Sequence, residues 1–185
     1  MIYNTLINNA YTGDIVFNLN DWIFGEGGGE DIFRLLCFLA KGKDVFEFGT
    51  FRGKMTHEIS KYANKIVTLD IDCSYYQTEH GSSHYVLGEI YKKYKNDNIT
   101  QLIGDSLKFD FTPYYGKFDL IFIDGNHDYK FVKNDFLNSV KLLKPDGGWI
   151  IMDDPGWDGV SKATQELIEE GYNIKNLSDI NYFKI

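Results

Sequence analysis

The hydrophobic pattern of this chain switches period again and again. Short, nearly continuous apolar runs alternate with stretches in which apolar residues recur every three or four positions. The first kind suits strands covered on both faces, the second helices with one packed side. The helical stretch "IFRLLCFLAK" follows Asp31, which can cap it, and Gly42 ends it. The short run "DVFEFG" reads as a strand, "KMTHEISKYA" (Lys54 to Ala63) as a helix and "KIVTLDID" as a second strand. Then come the helical "YVLGEIYKKY", the strand "ITQLIGD" and the strand "KFDLIFIDG" with its apolar "LIFI". The amphipathic "YKFVKNDFLNSVKLL" is stopped by Pro145; "GGWIIMDD" is a fifth strand and "KATQELIEEG" a helix closed by Gly171. The tail "YNIKNLSDINYFKI" holds two short strands with no helix between them.

Strands alternating with helices predict an α/β fold: a single doubly wound, mostly parallel seven-stranded sheet with helices on both faces. The terminal strand pair predicts an antiparallel strand near the C-terminus. Residues 1–30, including the loop-like "GEGGGED", read as an N-terminal lid or cap segment, and residues 31–185 as the domain proper.

Composition narrows the function classes. The 185 residues are 43% hydrophobic and 25% charged, as in a soluble globular domain. The net charge of −8 disfavours a broad nucleic-acid surface. No apolar run is long enough for a bilayer, and the first residues lack a signal-like pattern, so a cytoplasmic protein is expected. Cys37, inside "FRLLCFLA", and Cys73 have no metal-like spacing and fit a reducing compartment.

Chemistry gathers at the strand ends. Five strands in succession close on carboxylates: Glu47, Asp70, Asp105, Asp124, and Asp153 with Asp154. In an open parallel sheet that rim is where ligands bind. A single acid there is commonly a solvated cap; five on one rim exceed what solubility needs. The first turn, "EFGTFRG", spaces its residues as E-x-G-x-x-x-G, unlike the dinucleotide fingerprint. Gly49 would let backbone approach a ligand, and Gly53 would let the next helix start close to the strand. Asp70 follows about 20 residues later, where an acid meets ribose hydroxyls.

These motifs, in this order and over nearly the whole chain, resemble the class I S-adenosylmethionine-dependent methyltransferases. "VFEFGTFRG" is similar to the family's first motif, "VTLDID" to its second and "LIGDS" to its third. The resemblance implies S-adenosylmethionine as cofactor. It would be held by the Gly49–Gly53 loop with Thr50, by Glu47 toward the amino group, by Asp70 on the ribose, by Ile71 beside adenine, and by Asp105 and Ser106 at the adenine edge, with Asp124 adjacent. "FDLIFIDGNHDY" and "LLKPDGGWIIMDD" resemble small-molecule O-methyltransferases of the catechol and macrolide-sugar type.

Two chemical expectations follow. Asp124, Asp153 and Asp154, on neighbouring strand ends about 4.8 Å apart, could surround a hard divalent cation such as Mg2+. The metal-dependent catechol-type enzymes are similar here, although their last ligand is commonly Asn. The alternative is that these acids merely cap loops. His127, in "DGNHDY", could take a hydroxyl proton, as a histidine in this position resembles one in the macrolide-sugar enzymes; it could equally be a loop anchor. Trp157 could wall the acceptor pocket or pack, and "CSYYQTEHGSSHY" suits a lid or an ordinary loop. His57, His80 and His84 read as surface or lid residues.

The reading is therefore an O-methyltransferase for a small hydroxylated acceptor, a sugar or phenol, with catalysis by His127 and Asp124. Little chain precedes the first helix to build a pocket, so a homodimer partner could complete it. The alternatives are a non-catalytic module on the same fold and a nicotinamide-dependent oxidoreductase, the latter opposed by the glycine spacing.

Overall fold

The computed structural model describes residues 30–72, 85–177 and 180–185. Its elements are α1 (Glu30–Leu39), β1 (Asp44–Phe48), α2 (Lys54–Ser60), β2 (Lys65–Asp70), α3 (Glu89–Tyr94), β3 (Ile99–Ile103), β4 (Leu120–Ile123), α4 (Tyr129–Leu142), β5 (Trp149–Asp153), α5 (Asp158–Glu169), β6 (Lys175–Leu177) and β7 (Ile180–Lys184). The expected strands all form. Asp31 is the second residue of α1 rather than its cap. Helix α2 stops at Ser60, short of Ala63, and α5 starts at Asp158, ahead of Lys162. The lid readings on residues 1–29 and 73–84, with Cys73, His80 and His84, lie outside the described residues.

The sheet runs β3-β2-β1-β4-β5-β7-β6. The first five strands are parallel; β7 pairs antiparallel with both β5 and β6. Alternate residues of each inner strand serve opposite faces, as the two-residue strand period requires. Phe46, Phe48, Ile121, Ile123, Ile150 and Met152 join one core with Val132 and Phe136 of α4 and Ala163 and Leu167 of α5. Val45, Leu120, Phe122 and Ile151 join the other with Leu35 and Leu36 of α1 and Ile59 of α2. Burial on both sides explains why "LIFI" is unbroken. Cys37 is a fully buried member of α1, and burial pushes its thiol well above the usual range, so it is not poised as a nucleophile.

Chain order fixes where a ligand can lie. From β1 the chain steps outward to β2 and β3, then returns across β1 to place β4 on its other side. The carboxyl ends of β1 and β4 therefore flank the switch point, where two loops leave in opposite directions.

Candidate active site

The turn after β1 is built around missing side chains. Gly49 has φ +91°, and a Cβ there would lie 2.0 Å from the Asp124 carbonyl oxygen and 2.9 Å from the Gly125 Cα. The space that Gly49 leaves open is thus filled by the backbone at the end of β4, not by a ligand. Gly53 has φ +75°, and its Cβ would meet the Tyr91 ring at 2.5 Å and the Gly88 Cα at 2.9 Å. Its smallness serves the approach of α3 rather than that of α2 to its strand. Between them Phe51 adopts a left-handed φ of 48° and stands exposed against the Tyr85 ring, centroids 4.5 Å apart.

Asp70 holds this turn in place. Its Oδ2 accepts the N–H groups of Thr50 (2.7 Å) and Phe51 (2.8 Å), and its Oδ1 that of Ile71 (2.7 Å). Three of about four acceptor positions on the carboxylate are therefore engaged. Beneath the turn, the Thr50 hydroxyl pairs with that of Thr68 (2.6 Å) and accepts from Gln101 Nε2 (3.0 Å), while Tyr91 donates to Gln101 Oε1 (2.7 Å). Gln101 and Thr68 belong to the site and were missed in the sequence. The available signal was a polar residue in the interior of each of two short, largely apolar strands. Asp70→Ala removes both the loop's anchor and the ribose acceptor implied by the resemblance. It should weaken S-adenosylhomocysteine binding by roughly 1–3 kcal/mol in calorimetry.

Glu47 is 2% exposed and accepts a hydrogen bond from the Thr56 hydroxyl at 2.6 Å. Burial pushes its carboxyl up to about 8; the Thr56 and Thr68 hydroxyls oppose the shift, and the Asp124 and Asp70 charges add to it. Burial likewise raises Asp153 to about 7, with Asp124 and Asp154 adding. Between the ordinary carboxyl range and these values the folded protein holds protons that the unfolded chain releases. Stability is thus greatest on the acid side and declines as pH rises through about 8. Glu47 alone should contribute a decline of a few kcal/mol, at about 1.4 kcal/mol per pKa unit. Urea midpoints measured from pH 5 to 9 should fall for the wild type and run flatter for Glu47→Gln.

The end of β4 carries the second half of the site. His127 lies between two carboxylates, its Nε2 3.6 Å from Asp124 Oδ1 and its Nδ1 3.6 Å from Asp154 Oδ2. Both separations exceed hydrogen-bond length, and Nε2 is a buried side-chain nitrogen with no hydrogen-bond partner. The adjacent Asp124 carboxylate chiefly, as acceptor toward the ring and then through its charge, raises the imidazole above its ordinary range; burial opposes the shift, and the Asp154 and Asp153 charges add to it. Asp124 is itself raised, first by burial and then by Asp154 and Asp70, with His127 offsetting. Asp154 sits at a left-handed φ of 51°, which aims the end of β5 back at this loop. Trp157, 60% exposed, places its ring centroid 5.2 Å from that of His127. Gly159, another residue missed in the sequence, lets α5 seat against the loop: a Cβ there would lie 2.1 Å from the His127 carbonyl oxygen.

The expected metal cluster does not assemble. Among the described residues no three His, Cys, Asp or Glu side chains converge on one ion position. The imidazole stands between Asp124 and Asp154, where a shared cation would have had to lie. The expectation treated strand ends as if all their carboxylates pointed inward. His57 also differs from the surface reading: it is buried, its Nδ1 2.8 Å from Asn96 Oδ1 and its ring stacked on Tyr94. Asp105 and Ser106 sit apart from the Asp124–His127 group, on the turn after β3, where Asp105 Oδ1 accepts the Leu107 N–H at 3.0 Å.

The site fits the cofactor implied by the motifs. Glu47, Asp70 and Asp124 act on one another electrostatically across the ends of β1, β2 and β4. That acidic rim suits a ligand carrying positive charge and hydroxyl donors. No helix among the described residues is long and apolar enough to cross a membrane. No curated protein matches the chain. Among solved structures it is similar to cofactor-bound Rv0187 from MTB, with 18% identity, a TM-score of 0.61, and 100% of this chain and 87% of that one covered. It is similar also to the O-methyltransferase TomG of Streptomyces achromogenes, solved with SAM, at 16% identity, a TM-score of 0.58, and 99% and 88% coverage. The likeness to phosphoethanolamine N-methyltransferase 1 of Haemonchus contortus is at 20% identity and a TM-score of 0.47, and covers 61% of this chain but 22% of that longer one. Residues 46–155, from the middle of β1 to just past the end of β5, match the methyltransferase domain family. The chain is a member of the class I S-adenosylmethionine-dependent methyltransferase family.

Proposed function

We propose that this protein transfers the methyl group of S-adenosylmethionine to a hydroxyl of a small acceptor, a sugar or a phenol. The observation that carries the proposal is His127: an imidazole flanked by the Asp124 and Asp154 carboxylates, 3.6 Å from each, at the switch point of the sheet. The similarity to TomG, described as an O-methyltransferase, supports the same acceptor class.

The cofactor supplies an electrophilic methyl group on a positively charged sulfur. Asp70 and Asp124 offset that charge, with the protonated Glu47 behind them, and the turn held by Asp70 presents its backbone to the ligand. His127 takes the hydroxyl proton as the acceptor oxygen bonds to the methyl carbon and the carbon–sulfur pair returns to sulfur. The flanking carboxylates stabilise the imidazolium so formed, and Trp157 offers an apolar wall beside it. Positioning alone can lower the barrier by roughly 7–11 kcal/mol at best. Among the described residues the carboxylates do not form the set a hard cation requires.

Methyl-labelled S-adenosylmethionine, offered with panels of phenols, sugars and amines, tests the proposal. Label on hydroxyl oxygen, undiminished by EDTA, is the expected result. Label on nitrogen overturns the acceptor class. Cofactor binding without any transfer makes the chain a binding module.

A further inference from the structure

Helices α4 and α5 meet along a row of polar side chains that packing alone does not call for. Gly159, Lys162, Glu166 and Glu170 recur every three or four residues along α5 and just past its end, so they share one face. That face lies against the start of α4. Gly159 touches backbone there: a Cβ would meet the His127 carbonyl oxygen at 2.1 Å and the Tyr129 nitrogen at 2.7 Å. Lys162 Nζ stands 4.8 Å from the centre of the Tyr129 ring. The Tyr129 hydroxyl donates to Glu166 Oε2. Lys133, one turn further along α4, donates to Glu166 Oε1 and, at 2.7 Å, to Glu170 Oε1. A phenylalanine would serve the apolar contacts of the Tyr129 ring, which packs against the same core as Val160 and Ala163. The hydroxyl adds a directional, charge-assisted bond that limits how far one helix can slide along the other.

This row ends at the candidate active site. The loop 124–128 is fastened at its start to β1, where the Asp124 N–H bonds the Phe48 carbonyl at 2.9 Å. Within it the Asp128 N–H bonds Asn126 Oδ1 at 2.8 Å, a local tie. Its far end runs into Tyr129, the first residue of α4, which is fastened to α5. Helix α5 also carries Trp157 as its N-cap, with the ring centroid 5.2 Å from that of His127. We propose that Tyr129 and Glu166 are positioning residues for methyl transfer: their bond sets the height of α5 against the loop, and with it the placement of the His127 and Trp157 rings relative to each other. This rests on the reading above, in which His127 takes the hydroxyl proton and Trp157 walls the acceptor. Neither Tyr129 nor Glu166 acts on the reacting atoms; both act through the loop and the helix cap.

The test is steady-state kinetics with the phenol or sugar that takes most label in the panel above. Tyr129→Phe, which keeps the ring, and Glu166→Ala should each lower kcat about tenfold, with the KM for S-adenosylmethionine nearly unchanged. Glu166→Gln, which keeps an acceptor for the Tyr129 hydroxyl, should retain most of the activity. Glu170→Gln, which weakens the Lys133 pair and leaves Tyr129 joined to Glu166, should match the wild type. Urea midpoints should move little in every variant, since exposed ion pairs stabilise a fold only slightly. The nuclear Overhauser contact between the His127 and Trp157 rings should fade in Tyr129→Phe, and it reads the geometry without any acceptor. An unchanged kcat or an unchanged ring contact in Tyr129→Phe overturns the proposal. So does a Glu170→Gln variant as slow as Glu166→Ala, which would make the row a general brace between helices. A wild type that labels no hydroxyl would instead remove the reading on which the catalytic role rests, while the ring contact still shows whether the pair places His127.

Discussion

Gly49→Val should cost the fold most of its stability, and Gly49→Ala should lower it by about 2–5 kcal/mol, read as a shift of the urea midpoint. Two effects add. Any side chain at φ +91° is strained, by about 1–2 kcal/mol. The new Cβ would also have to occupy a point 2.0 Å from the Asp124 carbonyl oxygen, which is backbone and cannot swing aside. Forced overpacking of this kind typically costs a further 1–3 kcal/mol or so. The contact joins the end of β1 to the end of β4, where the Asp124 N–H also bonds the Phe48 carbonyl at 2.9 Å. Loss of cofactor binding in this variant would therefore report a displaced β4 end. A Gly49→Ala protein as stable as the wild type would show that the two strand ends can separate freely.

Replacing His127 by Ala should reduce kcat by about 10²–10⁴-fold, the usual contribution of a positioned acid–base group. Affinity for S-adenosylhomocysteine should stay nearly the same if His127 serves the acceptor hydroxyl, as proposed, and not the cofactor. The pH profile gives the sharper reading. The carboxylates around His127 raise its pKa, so the neutral form that can accept a proton is scarce below the ordinary histidine range. Wild-type kcat should climb as pH passes above that range and then level off. The Ala variant should lose the rising limb. An unchanged kcat, or a profile that keeps its shape, would leave His127 as a loop anchor between Asp124 and Asp154.

Much of this was readable in the sequence, for identifiable reasons. The strands announced themselves because burial on both faces demands unbroken apolar runs such as "LIFI", and their parallel direction follows from the helices placed between them. The rim of acids was legible because strand ends are legible. What an acid or a glycine does there was not, since that depends on the atoms opposite. Gly49 reads the same whether it makes room for a ligand or for the Asp124 backbone. Asp153 and Asp154 are adjacent in sequence, but the left-handed turn at Asp154 sends its carboxylate to His127. His57 was misjudged because its partners, Asn96 and Tyr94, come from the end of α3, far along the chain.

The strand arrangement also has a consequence for the order of events during synthesis. Strand β7 lies between β5 and β6, yet it leaves the ribosome after both. Until residues 180–184 emerge, β5 presents an open, apolar edge, and β6 has no neighbour to pair with. A nascent chain halted at that stage holds the glycine turn, the acids and His127, but its sheet is open beside β5, the strand that carries Asp153. Such edges recruit strands from other chains. For this protein the hazardous interval on the ribosome falls late, with the proposed catalytic residues already made and five residues still to come into register.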